Sequence, residues 1–323
     1  MMKPVDLLFT DLPVSLLQTV RDLMNGVDVS WAIVEPGCST AAEVIEAASG
    51  VRALIPFYAP VTREVFESIP SLEIIALPYV GSDTVDLEAA DERGLWVCNV
   101  PDGNREEVAV HALGMTLSLL RALPRYDASI RAGRWDDKAA GELRRISGLT
   151  FGVLGVGNIG SLIASYGLPL FGRVVGYDLS VPAEQFPAGV ISLGSVQALF
   201  EQADVISIHV PLTPQTDGLV DDGLLAQCRP GTYLVNAARG PVVDSDALLN
   251  ALGNGQLRAA ALDVVPVEPP ARSDPLLHHP DILLSPHAAH YSEESKQETF
   301  SRAIANATAV IRGQTPVDAL VGP

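Results

Sequence analysis

Short runs rich in Val, Ile and Leu alternate with amphipathic stretches nearly from one end of the chain to the other. An apolar run of about five residues suits a strand covered on both faces, and the amphipathic stretch behind it suits a helix that does the covering. Repeated, the pair predicts βαβ units around a parallel sheet, the α/β class. In the first third, VDLLFT (5–10), VRALIP (51–56), EIIALP (73–78) and LWVCNV (95–100) read as strands. Between them TAAEVIEAA (40–48) and TREVFESI (62–69) read as helices opened by a threonine cap.

The rhythm breaks at PDGNREEVAVHALGMTLSLLRAL (101–123), where turn residues give way to Glu106 and Glu107 in a first helical turn and then to a long apolar helix pattern. A domain crossing is expected there. A second alternation starts with TFGVLGVGNIG at 150 and runs through strands at RVVGYD (173–178), DVISIHV (204–210), TYLVNA (232–237), RAAALDVV (258–265) and DILLSP (281–286). Beyond 290 the pattern becomes a single helix, EESKQETFSRAIANATAVIRG, expected to cross back to the first domain. A chain of 323 residues exceeds the size at which one core stops growing, which also favours two domains.

Composition narrows the partners. The net charge of −18 repels nucleic acid and anionic lipid, so neither a nucleic acid nor a membrane is expected as a partner, and an anionic ligand needs a local positive group. No apolar run reaches membrane-spanning length, and the opening MMKPVDLLFTDLP is interrupted by Asp6 and Asp11, which argues against an export signal. Cys38, Cys98 and Cys228 are odd in number and far apart, as expected of buried reduced thiols in a cytoplasmic protein and not of disulfides or a zinc site.

Gly155, Gly157 and Gly160 form G-V-G-N-I-G behind the apolar FGVL and before the helical SLIASYGL. Such glycines permit a tight turn and let backbone N–H groups at a helix N-terminus approach a pyrophosphate. Alone the motif also fits a plain structural turn between strand and helix. Asp178 ends the next strand eighteen residues after Gly160, where a carboxylate accepts from an adenosine ribose. The same charge repels a 2′-phosphate, and Leu179 and Ser180 add no cation, so NAD is expected in preference to NADP.

Hydride transfer to a 2-keto acid needs a cation for the carboxylate, a proton donor for the carbonyl oxygen and a group that holds the donor. Arg239 follows TYLVNAA, Glu268 lies beyond ALDVV and His287 follows DILLS, each just past the carboxyl end of an expected strand, where open α/β sheets bind ligands. Arg239 offers a planar fork to a carboxylate. His287 suits a general acid, and a neighbouring carboxylate such as Glu268 raises a histidine's pKa and fixes its tautomer. Structural roles compete: a cap turn at Arg239-Gly240, a solvated acid in VEPP, a buried histidine. Four of the six histidines, His278, His279, His287 and His290, crowd this end, but no further ligands of metal-site spacing accompany them, so no metal is expected.

YVGSDTVDLEAADERGLWVCNV, FGVLGVGNIG, HVPLTPQTDGLV, LVNAARGPVVDSDAL, ALDVVPVEPP and SPHAAH, in that order, resemble the D-isomer-specific 2-hydroxyacid dehydrogenases, among them D-lactate, glyoxylate/hydroxypyruvate and D-3-phosphoglycerate enzymes. The resemblance implies a Rossmann-type NAD-binding domain over 102–290 and a flavodoxin-like substrate domain over 1–101 completed by 291–323. It implies the Arg, Glu and His roles at Arg239, Glu268 and His287, and substrate-carboxylate contacts from the backbone of Val80 and Gly81. For NAD it implies Asn158 and Ile159 at the pyrophosphate, His209 and Thr216 toward the adenosine, and Ala237, Ala238 and Asp263 around the nicotinamide. It further implies a homodimer formed through the helix near 108–123 and the RAGRW loop ending at Trp135. The implied activity is interconversion of a small 2-keto acid and a D-2-hydroxy acid.

Three departures stand out. Val110 precedes His111 where the family often has Glu, which makes His111 structural or interfacial; Pro78 and Tyr79 stand where small residues are common; and His290 replaces a frequent glycine. Ending at residue 323, the sequence carries no stretch for the extra regulatory domain of some phosphoglycerate enzymes, and serine feedback is not expected. Non-enzymatic NAD(H)-sensing corepressors share the architecture and the catalytic-type triad of residues. Without a long disordered or basic extension for partners, the enzyme is the favoured reading.

Overall fold

Strands form wherever the apolar runs were densest, and the computed structural model describes residues 5–323 of the chain. They are β1 (Leu7–Phe9), β2 (Trp31–Ile33), β3 (Ala53–Ile55), β4 (Ile74–Ala76), β5 (Trp96–Cys98), β6 (Thr150–Leu154), β7 (Arg173–Tyr177), β8 (Ile191–Ser192), β9 (Val205–Ile208), β10 (Thr232–Asn236), β11 (Leu257–Leu262), β12 (Ile282–Leu284) and β13 (Ala319–Val321). The chain divides into two units, one comprising residues up to Asn104 with Tyr291–Pro323, the other Arg105–His290.

In the first unit the sheet order is β13-β5-β4-β3-β1-β2, parallel except for β13, which runs antiparallel to β5. The parallel strands alone follow the doubly wound order 2-1-3-4-5. Because side chains alternate across a strand, Leu8, Leu54, Ile75 and Val97 pack with Val44 and Phe66, while Leu7, Phe9, Ile55 and Ile74 pack with Val20, Met24, Phe300 and Ile304 on the other face. The last two belong to the helix Glu293–Ile311, which therefore completes the core of this unit. At the helix Ala41–Ala47, Thr40 and Glu43 form a reciprocal capping box, whereas Thr62 precedes its helix without a side-chain cap bond.

In the second unit the order is β12-β11-β10-β9-β6-β7-β8, all parallel, and counted from β6 it begins 3-2-1-4-5-6. Gly152 and Gly176 lie inside β6 and β7 where a Cβ would stand 2.8 Å from Ala203 and from Val156, so those strands admit close neighbours only at those points. The pairing keeps Tyr177, Leu154, Ile208, Asn236, Leu262 and Leu284 level across six strands. The residues that follow each strand thus emerge along one edge.

The long helix expected at 101–123 forms as Arg105–Leu120, with Glu106 and Glu107 in its first turn; a separate helix, Leu123–Arg131, begins after Ala122 turns left-handed at φ 52°. β2, β8 and β13 were not among the expected strands; each is short and at least partly exposed, although β2 lies in the apolar WAIV (31–34). Cys38, Cys98 and Cys228 are buried and unpaired, and burial pushes their thiols up to about 11, 12 and 12. No helix among the described residues is long and apolar enough to cross a membrane.

Candidate active site

The common edge of the second unit carries Asp178, Gly155, His209, Ala237, Asp263 and Ser285, each one residue beyond its strand. At its centre is the glycine turn. Gly155 has φ 87°, and a Cβ there would sit 2.7 Å from the His209 carbonyl oxygen; one on Gly160 would sit 1.8 Å from the Gly155 carbonyl oxygen. Both glycines are required by the chain's own packing. Gly157 differs, since it caps the helix Asn158–Gly167 with φ −74° and a Cβ would meet nothing within 4 Å. Gly157 itself offers the first turn no side-chain cap, and the space a Cβ would fill there lies open at the positive end of the helix. Asn158 and Ile159 form that first turn. The arrangement fits a dinucleotide pyrophosphate.

Asp178 accepts from Val156 N (2.7 Å) with one carboxylate oxygen and from Ser180 N (2.8 Å) and Val181 N (2.9 Å) with the other. It therefore ties the glycine turn to the turn after β7. A carboxylate has about four acceptor sites, so capacity for a ribose hydroxyl remains. The His209 ring bonds Ser207 Oγ at 2.8 Å, and burial pushes its pKa down to about 4, which keeps it neutral. Thr216 directs its hydroxyl into its own loop, donating to the Pro211 carbonyl (2.6 Å) and accepting from Thr213 N (2.8 Å). It shapes the 211–216 loop that follows His209.

After β10, buried Asn236 clamps the turn that carries Arg239: its Oδ1 accepts from Ala238 N (3.0 Å) and its Nδ2 donates to the Arg239 carbonyl (2.9 Å). Gly240 lets this turn press against the next loop, since a Cβ would stand 2.1 Å from the Val265 carbonyl carbon. That loop leads to Glu268, whose Oε1 accepts from Val265 N at 3.0 Å and whose Oε2 meets His287 Nδ1 at 2.6 Å. Burial pushes the Glu268 carboxyl up, but the His287 hydrogen bond, the His287 charge and the Val265 N–H together hold it below its ordinary value. An ionised Glu268 can only accept, so Nδ1 carries the proton and Nε2 is the ring atom left for proton transfer.

His287 adopts φ 52°, a left-handed backbone that costs a bulky residue on the order of 1–3 kcal/mol. Its N–H donates to the Asp263 carbonyl at 2.7 Å. The Asp263 side chain, 2% exposed, accepts from Ser285 Oγ (2.6 Å), Ala288 N (2.9 Å) and Ala289 N (2.9 Å). So a residue assigned from the resemblance to the nicotinamide surroundings also holds the loop of the proton-transfer histidine. His290 stands edge-on to His287 with ring centroids 6.0 Å apart; burial, then the His287 charge, lowers its pKa. His111 bonds Ser285 Oγ at 2.9 Å. Ser285, Asn236 and Ser207 carried no periodic or motif signal of their own.

Val80 and Gly81 belong to the first unit, in the loop after β4, partly exposed, with the Val80 carbonyl held by Asn99 Nδ2 at 2.6 Å. Tyr79 of the same loop bonds Thr84 Oγ1 through its hydroxyl at 3.0 Å. Among the described residues no cluster of three or more His, Cys, Asp or Glu side chains could hold a metal ion.

The family model described as the NAD binding domain of the D-isomer specific 2-hydroxyacid dehydrogenases matches residues 113–289. The chain belongs to that family. D-3-phosphoglycerate dehydrogenase of Mycobacterium leprae is 36% identical over 317 residues, 96% of this chain and 59% of that protein. The chain thus spans little more than half the length of such curated relatives. Among solved structures, D-lactate dehydrogenase of Aquifex aeolicus complexed with NAD and lactic acid is similar at TM-score 0.88 and 28% identity, over 98% of this chain and 99% of that one. The TT0316 protein of Thermus thermophilus matches at TM-score 0.83 and 33% identity, over the same shares. The family's cofactor is NAD, as the glycine turn and Asp178 led one to expect, and the mixed α/β architecture with two largely parallel sheets is that of its two-domain members.

Proposed function

We propose that the chain is an NAD-dependent D-2-hydroxyacid dehydrogenase acting on a small 2-keto or 2-hydroxy acid. The observation that carries this reading is the 2.6 Å pair of Glu268 and His287, with Nε2 left for transfer, on the same strand-end edge as the glycine turn and Arg239. NAD(H), when bound, supplies or takes up the hydride. Gly155, Gly157, Asn158, Ile159, Gly160 and Asp178 hold it, aided by His209, Thr216, Ala237, Ala238 and Asp263. Arg239 pairs with the substrate carboxylate, and its positive charge draws electron density from the neighbouring carbonyl. In the first unit, Val80 and Gly81 are the residues that the family resemblance assigns to carboxylate binding through their backbone N–H groups. In reduction His287 gives the Nε2 proton to the carbonyl oxygen as the hydride reaches carbon; in oxidation it takes that proton back. Glu268 stays ionised throughout and orients the ring.

The test is an NADH-oxidation screen over glyoxylate, hydroxypyruvate, pyruvate, phenylpyruvate, branched 2-keto acids and phosphohydroxypyruvate, with His287→Asn beside the wild type. Turnover that is lost in the variant supports the reading. Tight NADH binding with no turnover of any acid would overturn it in favour of a non-enzymatic NAD(H) sensor.

Dimerisation and cytoplasmic residence are part of the same proposal. Leu123, Ile130 and Trp135 are 55%, 51% and 90% exposed on the segment expected to pair, and three reduced thiols suit a reducing compartment.

A further inference from the structure

Ser285 has one hydroxyl proton and three neighbours within reach: Asp263 Oδ1 at 2.6 Å, His111 Nε2 at 2.9 Å and Met115 Sδ at 3.8 Å. A buried carboxylate can only accept and is the strongest acceptor of the three, so the proton goes to Asp263. The serine oxygen is then an acceptor, and His111 must donate from Nε2. This fixes the His111 tautomer and sets a directed chain of hydrogen bonds from His111 through Ser285 to Asp263, with His111 Nε2 itself 3.5 Å from Asp263 Oδ1. His111 and Met115 are one turn apart on the helix Arg105–Leu120, so both rest on one rigid face.

The chain ends on the carboxylate that fastens the loop on both sides of His287. Ser285 precedes that residue, Ala288 and Ala289 follow it, and all three donate to Asp263. The Asp263 carbonyl takes the His287 N–H between them. Four ties to one residue hold the left-handed backbone at His287, and that backbone aims the ring at Glu268.

We propose that His111 and Ser285 are positioning residues for His287, acting through Asp263; the inference rests on the proton-transfer role proposed above for the Glu268–His287 pair. Without the serine hydroxyl, Asp263 loses its strongest neutral donor, the 285–289 loop gains freedom, and the imidazole spends less time aligned for transfer. The pyrophosphate and ribose contacts at the glycine turn and Asp178 lie outside this chain of contacts, which adjoins the cofactor only at its nicotinamide end, beside Asp263.

The experiment compares Ser285→Ala, His111→Leu and His111→Gln with the wild type, reading kcat, KM for the keto acid, NADH affinity and amide hydrogen exchange of residues 285–289. Ser285→Ala and His111→Leu are expected to lower kcat on the order of tenfold to a hundredfold, the scale of a small misplacement, with NADH affinity within about threefold of wild type. His111→Gln keeps an N–H donor and is expected to recover kcat to within about threefold. Exchange at 285–289 should quicken about tenfold or more in the first two variants while β9 to β11 stay protected. Unchanged exchange in Ser285→Ala, His111→Gln falling as far as His111→Leu, or NADH affinity lost in proportion to kcat would each overturn the proposal. If the wild type turns over no keto acid, it is the functional reading that fails, and exchange, measured without substrate, still decides whether these residues hold the loop.

Discussion

Replacing Gly157 by alanine separates what the fold needs from what the cofactor needs. The added Cβ meets nothing within 4 Å and the backbone φ is −74°, so neither clash nor left-handed strain arises. Two modest effects on stability remain. Alanine is a poorer N-cap than glycine, by up to about 1 kcal/mol, and it reduces the freedom of the unfolded chain, worth about 0.4–1 kcal/mol in the other direction. They nearly cancel, so the Tm of the ligand-free protein should stay within about 3 °C of wild type. A pyrophosphate oxygen bonded to a first-turn N–H at about 2.9 Å would collide with the new methyl, and the cofactor must retreat from its hydrogen bonds. Losing even one charge-assisted bond of about 1.5–3 kcal/mol weakens NADH binding by tenfold or more. Fluorescence titration with NADH and thermal unfolding without it read the two quantities. Binding equal to wild type would refute the placement of the pyrophosphate at Gly157; a Tm lowered by more than about 5 °C would refute the claim that the fold does not need this glycine. Gly160→Ala is the contrast, because its Cβ would sit 1.8 Å from the Gly155 carbonyl oxygen and must destabilise the protein with or without ligand.

His209 has a folded pKa of about 4 against 6.5 for the free side chain, so on acidification the unfolded chain binds a proton that the folded one refuses. There is no penalty above pH 6.5, and stability falls as the pH drops from 6.5 toward 4, by at most about 3 kcal/mol. Denaturant unfolding of wild type and His209→Gln across that range should show the two diverging by this amount, and parallel curves would refute it. Asp178→Asn removes the charge facing a 2′-phosphate, and the preference for NADH over NADPH should fall by at least about tenfold; an unchanged ratio of affinities would sink the assignment. Trp135→Glu should convert a dimer to monomer in light scattering without lowering the Tm of the monomer, since its side chain is 90% exposed within one chain.

In the second unit β6, β9, β10 and β11 were legible because they are largely buried and so appear as apolar runs; β7 and the partly exposed edge strand β12 carry apolar runs as well, and all six fall inside the expected stretches or within one residue of them. β2, β8 and β13 are edge strands of two or three residues, too short for the alternation to single out, even where β2 lies in the apolar WAIV. Arg239, Glu268 and His287 could be picked out because chemically distinctive side chains followed strand ends. Their alignment depends on inter-strand register, which no single segment encodes. Ser285 was invisible for a different reason: one serine in SPHAAH looks like any turn residue until its neighbours are known. His111 was assigned a structural or interfacial place from the residue beside it, and only the fold shows that its ring meets the loop of His287.

Six strands that stop at one level make the sheet a ruler for its own chemistry. A slip of one residue in β12 would move His287 by about 3.3 Å and turn every side chain of that strand to the opposite face. In β6 or β7 a slip would bring Phe151 or Val153, Val175 or Tyr177 to the points where Ala203 and Val156 leave room only for Gly152 and Gly176. Tolerance at the reacting atoms is therefore set deep in the sheet, by two residues that have no side chain to offer any ligand.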